Sequence, residues 1–345
     1  MSTPLVQIPA NTLVLITGAT GFTGSVLARK LVSAGVRVRA IARKSSDLAQ
    51  FKDLNIEWFQ GNVYDEQVVA RAAKDVSYIF HLAAAYREAK LADQDYYNVH
   101  VASTRLLAEA AVKNPHFQRF VHISTIGVHG HIDHPPADES YRFAPGDIYQ
   151  STKAEAELWL RNFATKNNLP FVIIRPAGIY GPGDRRLLKI FKMAAKPFFP
   201  LLGRGKFLYH LVHVEDLTNV ILLAATHPRA EGDIFICGNV RGTSLIEMGQ
   251  IAAKTLGRKF RAVRLPVWPF YALATVCEWI CKPFGIEPPL YRRRVAFFTK
   301  DRAFDTRRLR EKLGYEMIYS NEDGLAETGE WYLKQGWLKR RAVGG

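Results

Sequence analysis

The first half of the chain alternates short apolar runs with longer stretches in which apolar residues recur at helical spacing. The runs are rich in β-branched residues, which is typical of buried strands, and the stretches between them are long enough for crossover helices. We therefore predict an α/β fold with a doubly wound, parallel sheet of the Rossmann type. The predicted strands span residues 13–17, 36–42, 56–59, 78–82, 120–124 and 171–175, and the predicted helices span residues 24–34, 66–73, 100–113 and 149–167.

The regular alternation ends after Arg175, where four prolines interrupt the pattern within 25 residues. We expect a dinucleotide-binding domain in residues 1–175, completed by segments around residues 205–240. A smaller C-terminal substrate-binding lobe should take up most of residues 176–338, followed by a basic tail at residues 339–345. A chain of 345 residues is long enough for one large domain with a smaller lobe.

Residues 265–281 form the most apolar stretch of the chain. The stretch contains two prolines and Glu278 and is shorter than the ~20 residues that span a bilayer, so we do not expect it to cross a membrane. It is either a helix of the lobe that lines an apolar pocket or a helix that lies in a membrane interface. The aromatic residues that favour an apolar chamber are Trp268, Phe270, Tyr271, Trp279, Phe284, Phe297 and Phe298.

The formal net charge is +15, and the basic residues occur in clusters at residues 292–294, 307–310 and 339–341. Such clusters indicate either a solvated basic face or peripheral association with an anionic membrane. No nucleic-acid-binding module is recognisable, and the three cysteines lack the spacing of a zinc site. The N-terminal residues lack the basic-then-apolar pattern of a secretory signal, so we expect a cytoplasmic protein, associated with the membrane at most peripherally.

A glycine-rich turn follows the first predicted strand and opens the first predicted helix, with glycines at positions 18, 21 and 24. This G-x-x-G-x-x-G spacing fits a dinucleotide pyrophosphate. Gly18 allows the tight turn, Gly21 the close approach of the backbone, and Gly24 the packing of helix against strand. The helix N-terminus would supply amide donors to the phosphates.

The second predicted strand ends at Ala42, where an NAD-binding fold normally places a carboxylate that holds the adenosine ribose. Here Arg43 and Lys44 follow instead. Cations cannot accept hydrogen bonds from a ribose diol, but they can pair with a 2′-phosphate. We therefore expect NADP as the preferred cofactor and NAD as the alternative.

Tyr149 and Lys153 open a predicted helix and lie one turn apart on the same face. An ammonium near a phenol lowers the pKa of that phenol, as general acid/base catalysis at neutral pH requires. Ser124 and Thr125 end the fifth predicted strand, at the sheet edge where ligands of such folds bind. Their hydroxyls can donate a hydrogen bond to a carbonyl or accept one from an alcohol.

Together these motifs resemble those of the extended short-chain dehydrogenases, in the branch of 3β-hydroxysteroid dehydrogenases, sterol-carboxylate dehydrogenases, dihydroflavonol reductases and sugar-nucleotide epimerases. The matching segments are TGATGFTG at residues 17–24, HLAA at 81–84, YQSTK at 149–153, RPAGIYGPGD at 175–184, LVHVEDL at 211–217 and FDTRRLREKLGY at 304–315. By its spacing to Gly130, Thr125 occupies the catalytic hydroxyl position of the family, with Ser124 beside it. The resemblance also implies a homodimer.

The resemblance implies that Lys153 also holds the nicotinamide ribose, and that the backbone from Pro176 to Gly178 faces the carboxamide. The full set of expected cofactor-binding residues is Gly18, Thr20, Gly21, Phe22, Thr23, Gly24, Arg43, Lys44, Asn62, Val63, Leu82, Ala83, Ala84, Lys153, Pro176 and Gly178. Three residues depart from the family pattern. Asn62 replaces the usual aspartate near adenine, His100 replaces an asparagine at the start of the central helix, and Ser103 replaces a glycine.

Histidines at positions 122, 129, 131 and 134 raise two other possibilities, a metal site and a Ser-His-Asp hydrolase. We favour a polar loop that covers substrate over a metal site, and the G-x-S-x-G turn of hydrolases is absent. The expected function is the interconversion of a ketone and a secondary alcohol on a hydrophobic substrate, sterol-like or a long-chain 3-oxo lipid. The alternatives are a sugar-nucleotide epimerase or dehydratase with tightly bound NAD, and a redox sensor without catalytic activity.

Overall fold

The computed structural model describes residues 7–85, 92–281, 283, 288–290, 292, 295 and 302–340. Within these residues, seven parallel strands form one sheet. They are β1 (Leu13–Thr17), β2 (Arg37–Ala42), β3 (Ile56–Gln60), β4 (Tyr78–His81), β5 (Arg119–Ile123), β6 (Phe171–Pro176) and β11 (Ile234–Cys237). Their order across the sheet is β11-β6-β5-β4-β1-β2-β3. The predicted doubly wound parallel sheet is confirmed.

Helices cover both faces of this sheet. They are α1 (Phe22–Ser33), α2 (Glu66–Ala72), α3 (Asp93–Tyr97), α4 (Ser103–Ala111), α5 (Ile148–Asn167) and α7 (Val214–Thr226). Alternate residues of β1 point to opposite faces, as the strand period of two requires. Val14 and Ile16 pack with residues of α1 and α7, whereas Leu15 packs with residues of α2, α4 and α5. Because both faces are buried, the strands are continuous apolar runs.

The rest of the described chain forms a smaller lobe with short strand pairs. Its strands are β7 (Gly178–Tyr180), β8 (Phe199–Leu202), β9 (Leu208–Tyr209), β10 (Leu211–His213), β12 (Thr243–Ser244) and β13 (Ala262–Leu265). Its helices are α6 (Leu188–Ala194), α8 (Leu245–Thr255), α9 (Trp268–Cys281) and α11 (Asn321–Lys334), whereas α10 (Arg307–Leu313) packs against β11 and the core of the large sheet. A separate apolar core, which includes Phe191, Met248 and Tyr332, holds α6, α8 and α11 together.

The two parts of the chain are interleaved. After the lobe segments from β7 to β10, the chain returns through α7 to β11, which pairs with β6 and extends the sheet. Asp216 on α7 then fixes the late segment of the chain. Its buried carboxylate accepts hydrogen bonds from the Tyr315 hydroxyl at 2.7 Å and from the backbone amides of Ile318 and Tyr319 at 2.8 and 3.0 Å. The LVHVEDL and FDTRRLREKLGY motifs therefore contact each other in the fold.

The largest difference from the predicted elements concerns the helix expected at residues 100–113. The structure instead begins a helix at Asp93 and continues through a π-helical turn, Asn98–Ala102, into α4. Ser103 and Thr104 donate hydroxyl hydrogen bonds to the carbonyl oxygens of Val99 and His100, both at 2.6 Å. These bonds occupy two carbonyl groups within the wider turn and anchor it.

Several expectations fall on residues outside the described ranges. Residues 1–6, Phe284, Arg293, Arg294, Phe297, Phe298 and Arg341 belong to this group. Among the described residues, none of the helices combines the length and the apolarity that crossing a bilayer requires.

Candidate active site

A cavity of about 970 Å³ lies along the sheet edge where the parallel strands end. Residues that directly follow β1, β2, β4 and β5 line it, which is where ligands of such sheets bind. Of the predicted catalytic and cofactor-binding residues, all but Lys44 line this cavity. They are Gly18, Thr20, Gly21, Phe22, Thr23, Gly24, Arg43, Asn62, Val63, Leu82, Ala83, Ala84, Ser124, Thr125, Tyr149, Lys153, Pro176 and Gly178.

The glycine turn leaves no room for side chains at two of its positions. Gly18 has a φ of +77°, and a Cβ there would lie 2.8 Å from the backbone nitrogen of Ala83. A Cβ at Gly24 would lie 2.1 Å from the Gly18 carbonyl oxygen. Gly21 caps α1 without a side-chain hydrogen bond, so the first amides of the helix keep their capacity to donate. The turn therefore fits a dinucleotide pyrophosphate.

The end of β2 distinguishes the two predicted cations. The exposed side chains of Arg43 and Lys44 both follow β2, but only Arg43 lines the cavity. Asn62, which follows β3, lines the same cavity, and so does Ser46. The side chains of Arg43, Asn62 and Ser46 are not acidic, so none of these positions offers a carboxylate to a ribose diol.

Lys153 is fully buried on α5, one helical turn beyond Tyr149. Its ammonium donates a hydrogen bond of 2.8 Å to the carbonyl oxygen of Ile123, at the end of β5. Burial lowers the pKa of Lys153 to about 8, and the nearby carboxylate of Glu157 opposes this shift. The ammonium therefore remains protonated at neutral pH while it is aimed at the sheet edge beside Tyr149.

The position of α5 depends on a buried ion pair. Glu157, one turn beyond Lys153, pairs with Arg175 on β6, and both side chains are excluded from solvent. Arg175 also donates a hydrogen bond of 2.8 Å to the carbonyl oxygen of Glu139. Removal of either partner would leave a single buried charge and would strongly destabilise the fold. The pair thus holds the face that carries Tyr149 and Lys153 against the sheet.

Two hydroxyl side chains that follow β5 line the cavity and differ in their hydrogen bonds. The Ser124 Oγ is buried and has no hydrogen-bond partner within the described part of the chain. The Thr125 Oγ1 accepts a hydrogen bond of 3.0 Å from the Gly127 amide, at the start of a short 3₁₀ turn. Because that amide fixes its oxygen, Thr125 keeps its hydroxyl hydrogen for a ligand in the cavity.

His100 connects three parts of the site. Its Nε2 accepts a hydrogen bond of 3.0 Å from the Ala85 amide, so Nδ1 carries the proton and donates to the Thr152 hydroxyl at 2.8 Å. Burial and the ammonium of Lys153 lower the pKa of His100 to about 2. The ring also meets Tyr149 edge-on. The sequence marks His100 only as a departure from the family pattern and does not reveal this role.

Two further buried histidines lie on neighbouring strands. His81 Nδ1 and the Thr17 hydroxyl are 2.7 Å apart, and burial lowers the pKa of His81 to about 3. His122 is paired with His81 in the sheet register, and burial holds its pKa well below the usual value. All three histidines near Lys153 are therefore neutral at pH 7, and none supplies a positive charge to the site.

The remaining histidines do not assemble a metal site. His129 is buried, 3.1 Å from an Arg175 nitrogen, whereas the His131 ring faces Asp133 at 3.6 Å on the surface. Within the described part of the chain, no three histidine, cysteine or acidic side chains come together as metal ligands.

The sequence does not identify the cavity residues that come from the lobe. They are Ile179, Gly183, Asp184, Arg185, Arg186, Leu187, Tyr209, His210, Leu211 and Arg302. The GPGD and LVHVEDL motifs mark most of these segments, but their sequence does not show which side chains face the cavity. Conversely, the aromatic residues of α9 do not line it. Helix α9 therefore does not line this cavity, contrary to the expectation that it lines an apolar pocket.

Comparison with known proteins agrees with this geometry. The model of the NAD dependent epimerase/dehydratase family matches residues 14–238. The 3 beta-hydroxysteroid dehydrogenase/Delta 5-->4-isomerase of Mycobacterium tuberculosis is 27% identical over 336 residues, which cover 93% of this chain and 90% of that protein. The motif-based resemblance is thus confirmed.

Solved structures share the fold over nearly the whole chain. The crystal structure of gox2253 has a TM-score of 0.80 at 29% identity and covers 95% of this chain and 100% of that one. UDP-glucose 4-epimerase from Thermotoga maritima, solved with UDP-glucose, has a TM-score of 0.75 at 23% identity. That alignment covers 94% of this chain and 99% of the epimerase.

Proposed function

Since the chain belongs to the NAD dependent epimerase/dehydratase family and is an NAD-dependent enzyme of the oxidoreductase and epimerase type, we propose that it reversibly interconverts a ketone and a secondary alcohol. The proposed substrate is hydrophobic, either sterol-like or a long-chain 3-oxo lipid. The observation that carries the proposal is the convergence of Tyr149, Lys153 and Thr125 on the cavity that the glycine turn borders.

Each of these side chains has a distinct part in the proposed reaction. When bound, the dinucleotide supplies or accepts the hydride. The Tyr149 phenol passes a proton to or from the substrate oxygen, because Lys153 presents a positive charge that stabilises the phenolate. Thr125 holds the same oxygen through its remaining hydroxyl hydrogen, and Ser124 offers a second donor beside it.

Apolar residues around the catalytic side chains support a hydrophobic substrate. Val99, Ile126, Ile179, Leu187 and Leu211 line the cavity together with Tyr149. Apolar walls favour a ligand with extended hydrocarbon surface, provided that a few polar groups orient its reacting end. The names of relatives such as the 3 beta-hydroxysteroid dehydrogenase/Delta 5-->4-isomerase are consistent with this substrate class.

We also propose NADP as the preferred cofactor. Arg43 lines the nucleotide end of the cavity, where a guanidinium can form paired hydrogen bonds with a 2′-phosphate.

A second candidate function is supported by the cations of the lobe. Arg185, Arg186 and Arg302 line the same cavity. Three guanidinium groups could bind the pyrophosphate of a sugar nucleotide, as an epimerase or dehydratase with tightly bound NAD would require.

A substrate panel distinguishes the candidates. The purified protein is incubated with NADPH or NADH and, in turn, with ketosteroids, 3-oxo-acyl lipids and UDP-sugars. We expect the absorbance of NADPH to fall with a ketosteroid or a 3-oxo lipid, and this loss should disappear in Tyr149→Phe, which should still bind NADPH. Conversion of UDP-sugars by retained NAD, without net cofactor turnover, would support the second candidate. Nucleotide binding without turnover of any substrate would instead favour a redox sensor.

A further inference from the structure

Helix α9 exposes its apolar side to solvent. Trp268 is 74% exposed and Trp279 is 80% exposed, and Leu273, Val276 and Ile280 are each more than half exposed. Of the described residues of this helix, only Ala274 is buried. This is the reverse of an ordinary surface helix, whose apolar stripe faces the core.

The exposed residues form one continuous face. Trp268, Ala272, Val276 and Trp279 follow one another at intervals of four, four and three residues, which places them along one side of the helix. Leu273 and Ile280 widen this side, so that two tryptophans mark its ends and aliphatic side chains lie between them. We call these six residues the α9 apolar face.

The single charge of α9 lies away from this face. Glu278 is largely shielded, and its carboxylate accepts hydrogen bonds from the Arg292 backbone amide at 2.8 Å and from its guanidinium at 2.9 Å. The ion pair neutralises the acidic residue and fixes an exposed cation beside the helix. The helix itself therefore presents no negative charge that would repel an anionic surface from the α9 apolar face.

Basic residues precede the helix. Arg258, Lys259, Arg261 and Arg264 lie in or next to β13, and no acidic residue occurs between positions 258 and 277. Arg261 and Arg264 are exposed. An apolar face with interfacial tryptophans and flanking cations has the complementary chemistry of an anionic lipid bilayer, in which acyl chains lie beneath negatively charged headgroups.

We propose that the α9 apolar face docks in the plane of an anionic phospholipid membrane, with Trp268 and Trp279 at the level of the headgroups. The helix has 14 residues, which is too short to cross the bilayer. A second copy of the chain is a poorer occupant, because a two-fold interface would bring the same basic flanks together. This docking is independent of which substrate the cavity binds.

Flotation of the full-length protein with lipid vesicles tests the proposal. The protein should float with vesicles of equal parts phosphatidylcholine and phosphatidylserine, and much less with phosphatidylcholine alone. The double variant Trp268→Ser/Trp279→Ser should lose at least about tenfold in vesicle partitioning. A matched control is Val240→Ser/Ile318→Ser, which removes apolar side chains that are 63% and 62% exposed elsewhere. This control should float like the unaltered protein.

A charge variant separates lipid binding from self-association. Arg261→Glu/Arg264→Glu should weaken flotation with the anionic vesicles, and added salt should have the same effect. Thermal unfolding of each variant shows whether its fold is intact. If the protein fails to float, or floats equally well without both tryptophans, membrane docking is wrong. If the tryptophan variant instead converts a dimer into a monomer in sedimentation, the α9 apolar face is an interface between copies.

Discussion

The imidazole of His100 meets the phenol ring of Tyr149 edge-on, with ring centroids 5.3 Å apart and planes at 83°. His100 is itself held by the Ala85 amide and the Thr152 hydroxyl, so its ring has little freedom to rotate. An edge-on aromatic pair is directional. His100 does not line the cavity, and we infer that it acts as a positioning residue that restricts the orientation of Tyr149.

Replacement of His100 should reduce turnover through the orientation of Tyr149. We expect His100→Ala to lower kcat by roughly ten- to a hundredfold, because small displacements of a catalytic group have effects of that size. His100→Phe retains the edge-on contact and should retain more of the activity. Steady-state kinetics provides the comparison, and cofactor affinity should be nearly unchanged in both variants. Equal losses in both would show that the hydrogen bonds, rather than the ring contact, matter.

The buried histidines predict a loss of stability in acid. Burial lowers the pKa of His81 to about 3 and that of His100 to about 2, from the usual 6.5. Below pH 6.5 these two imidazoles become protonated in the unfolded chain but remain neutral in the folded chain. The stability that these groups contribute is therefore fully present above that pH and is lost as the pH falls towards the folded values. Each histidine contributes a slope of up to about 1.4 kcal/mol per pH unit.

Urea unfolding at a series of pH values measures this slope. For His100→Phe, the free energy of unfolding should depend less steeply on pH between 6 and 4. The decrease in slope should correspond to about one bound proton. An unchanged slope would mean that His100 titrates equally in the folded and unfolded chains.

Of the two adjacent cations that follow β2, we expect only Arg43 to contribute to NADPH binding. Arg43→Ser should weaken NADPH binding by at least about tenfold, the size of one or two charge-assisted hydrogen bonds, and leave NADH binding nearly unchanged. Lys44→Ser is the matched control, because its side chain does not line the cavity. Titration of protein fluorescence with each cofactor tests both variants. The proposed 2′-phosphate contact is wrong if Arg43→Ser weakens both cofactors alike.

The two hydroxyls after β5 can be ranked by substitution. Thr125→Val should lower kcat by roughly a hundredfold or more, the effect of removing one donor to a developing oxyanion. Ser124→Ala should have a smaller effect, since Ser124 is the neighbouring donor. Thr125→Ser should recover most of the activity. If Ser124→Ala proved the more harmful change, the substrate oxygen would be held by Ser124.

The central sheet could be predicted because its strands are buried on both faces. Six of its strands agree with the predicted ranges within one residue at each end, as for β1 at Leu13–Thr17. Their apolar runs follow from burial alone. The helix that begins at Asp93 was predicted seven residues too late, since its first turn is polar and the following π-helical turn breaks the 3.6-residue period.

The part of the cavity next to the glycine turn could also be predicted, because short local motifs form it. The glycine turn and the Tyr149–Lys153 pair each lie within eight or fewer consecutive residues. The rest of the cavity combines Arg185, Tyr209 and Arg302, which are far apart in sequence. Only tertiary packing brings these side chains together, so no local pattern marks them as neighbours. For the same reason the sequence left two interpretations of residues 265–281 open.

The return of the chain from the lobe into β11 has a consequence for any attempt to divide the protein. A fragment that stops at residue 175 would lack the strand that pairs with β6 and would uncover a hydrophobic strand edge. Such edges recruit other chains, so we expect this fragment to aggregate on expression, whereas full-length protein should not. Residues 1–175 are thus not a detachable module, and an exchange of substrate specificity between relatives would have to graft loops instead of whole halves.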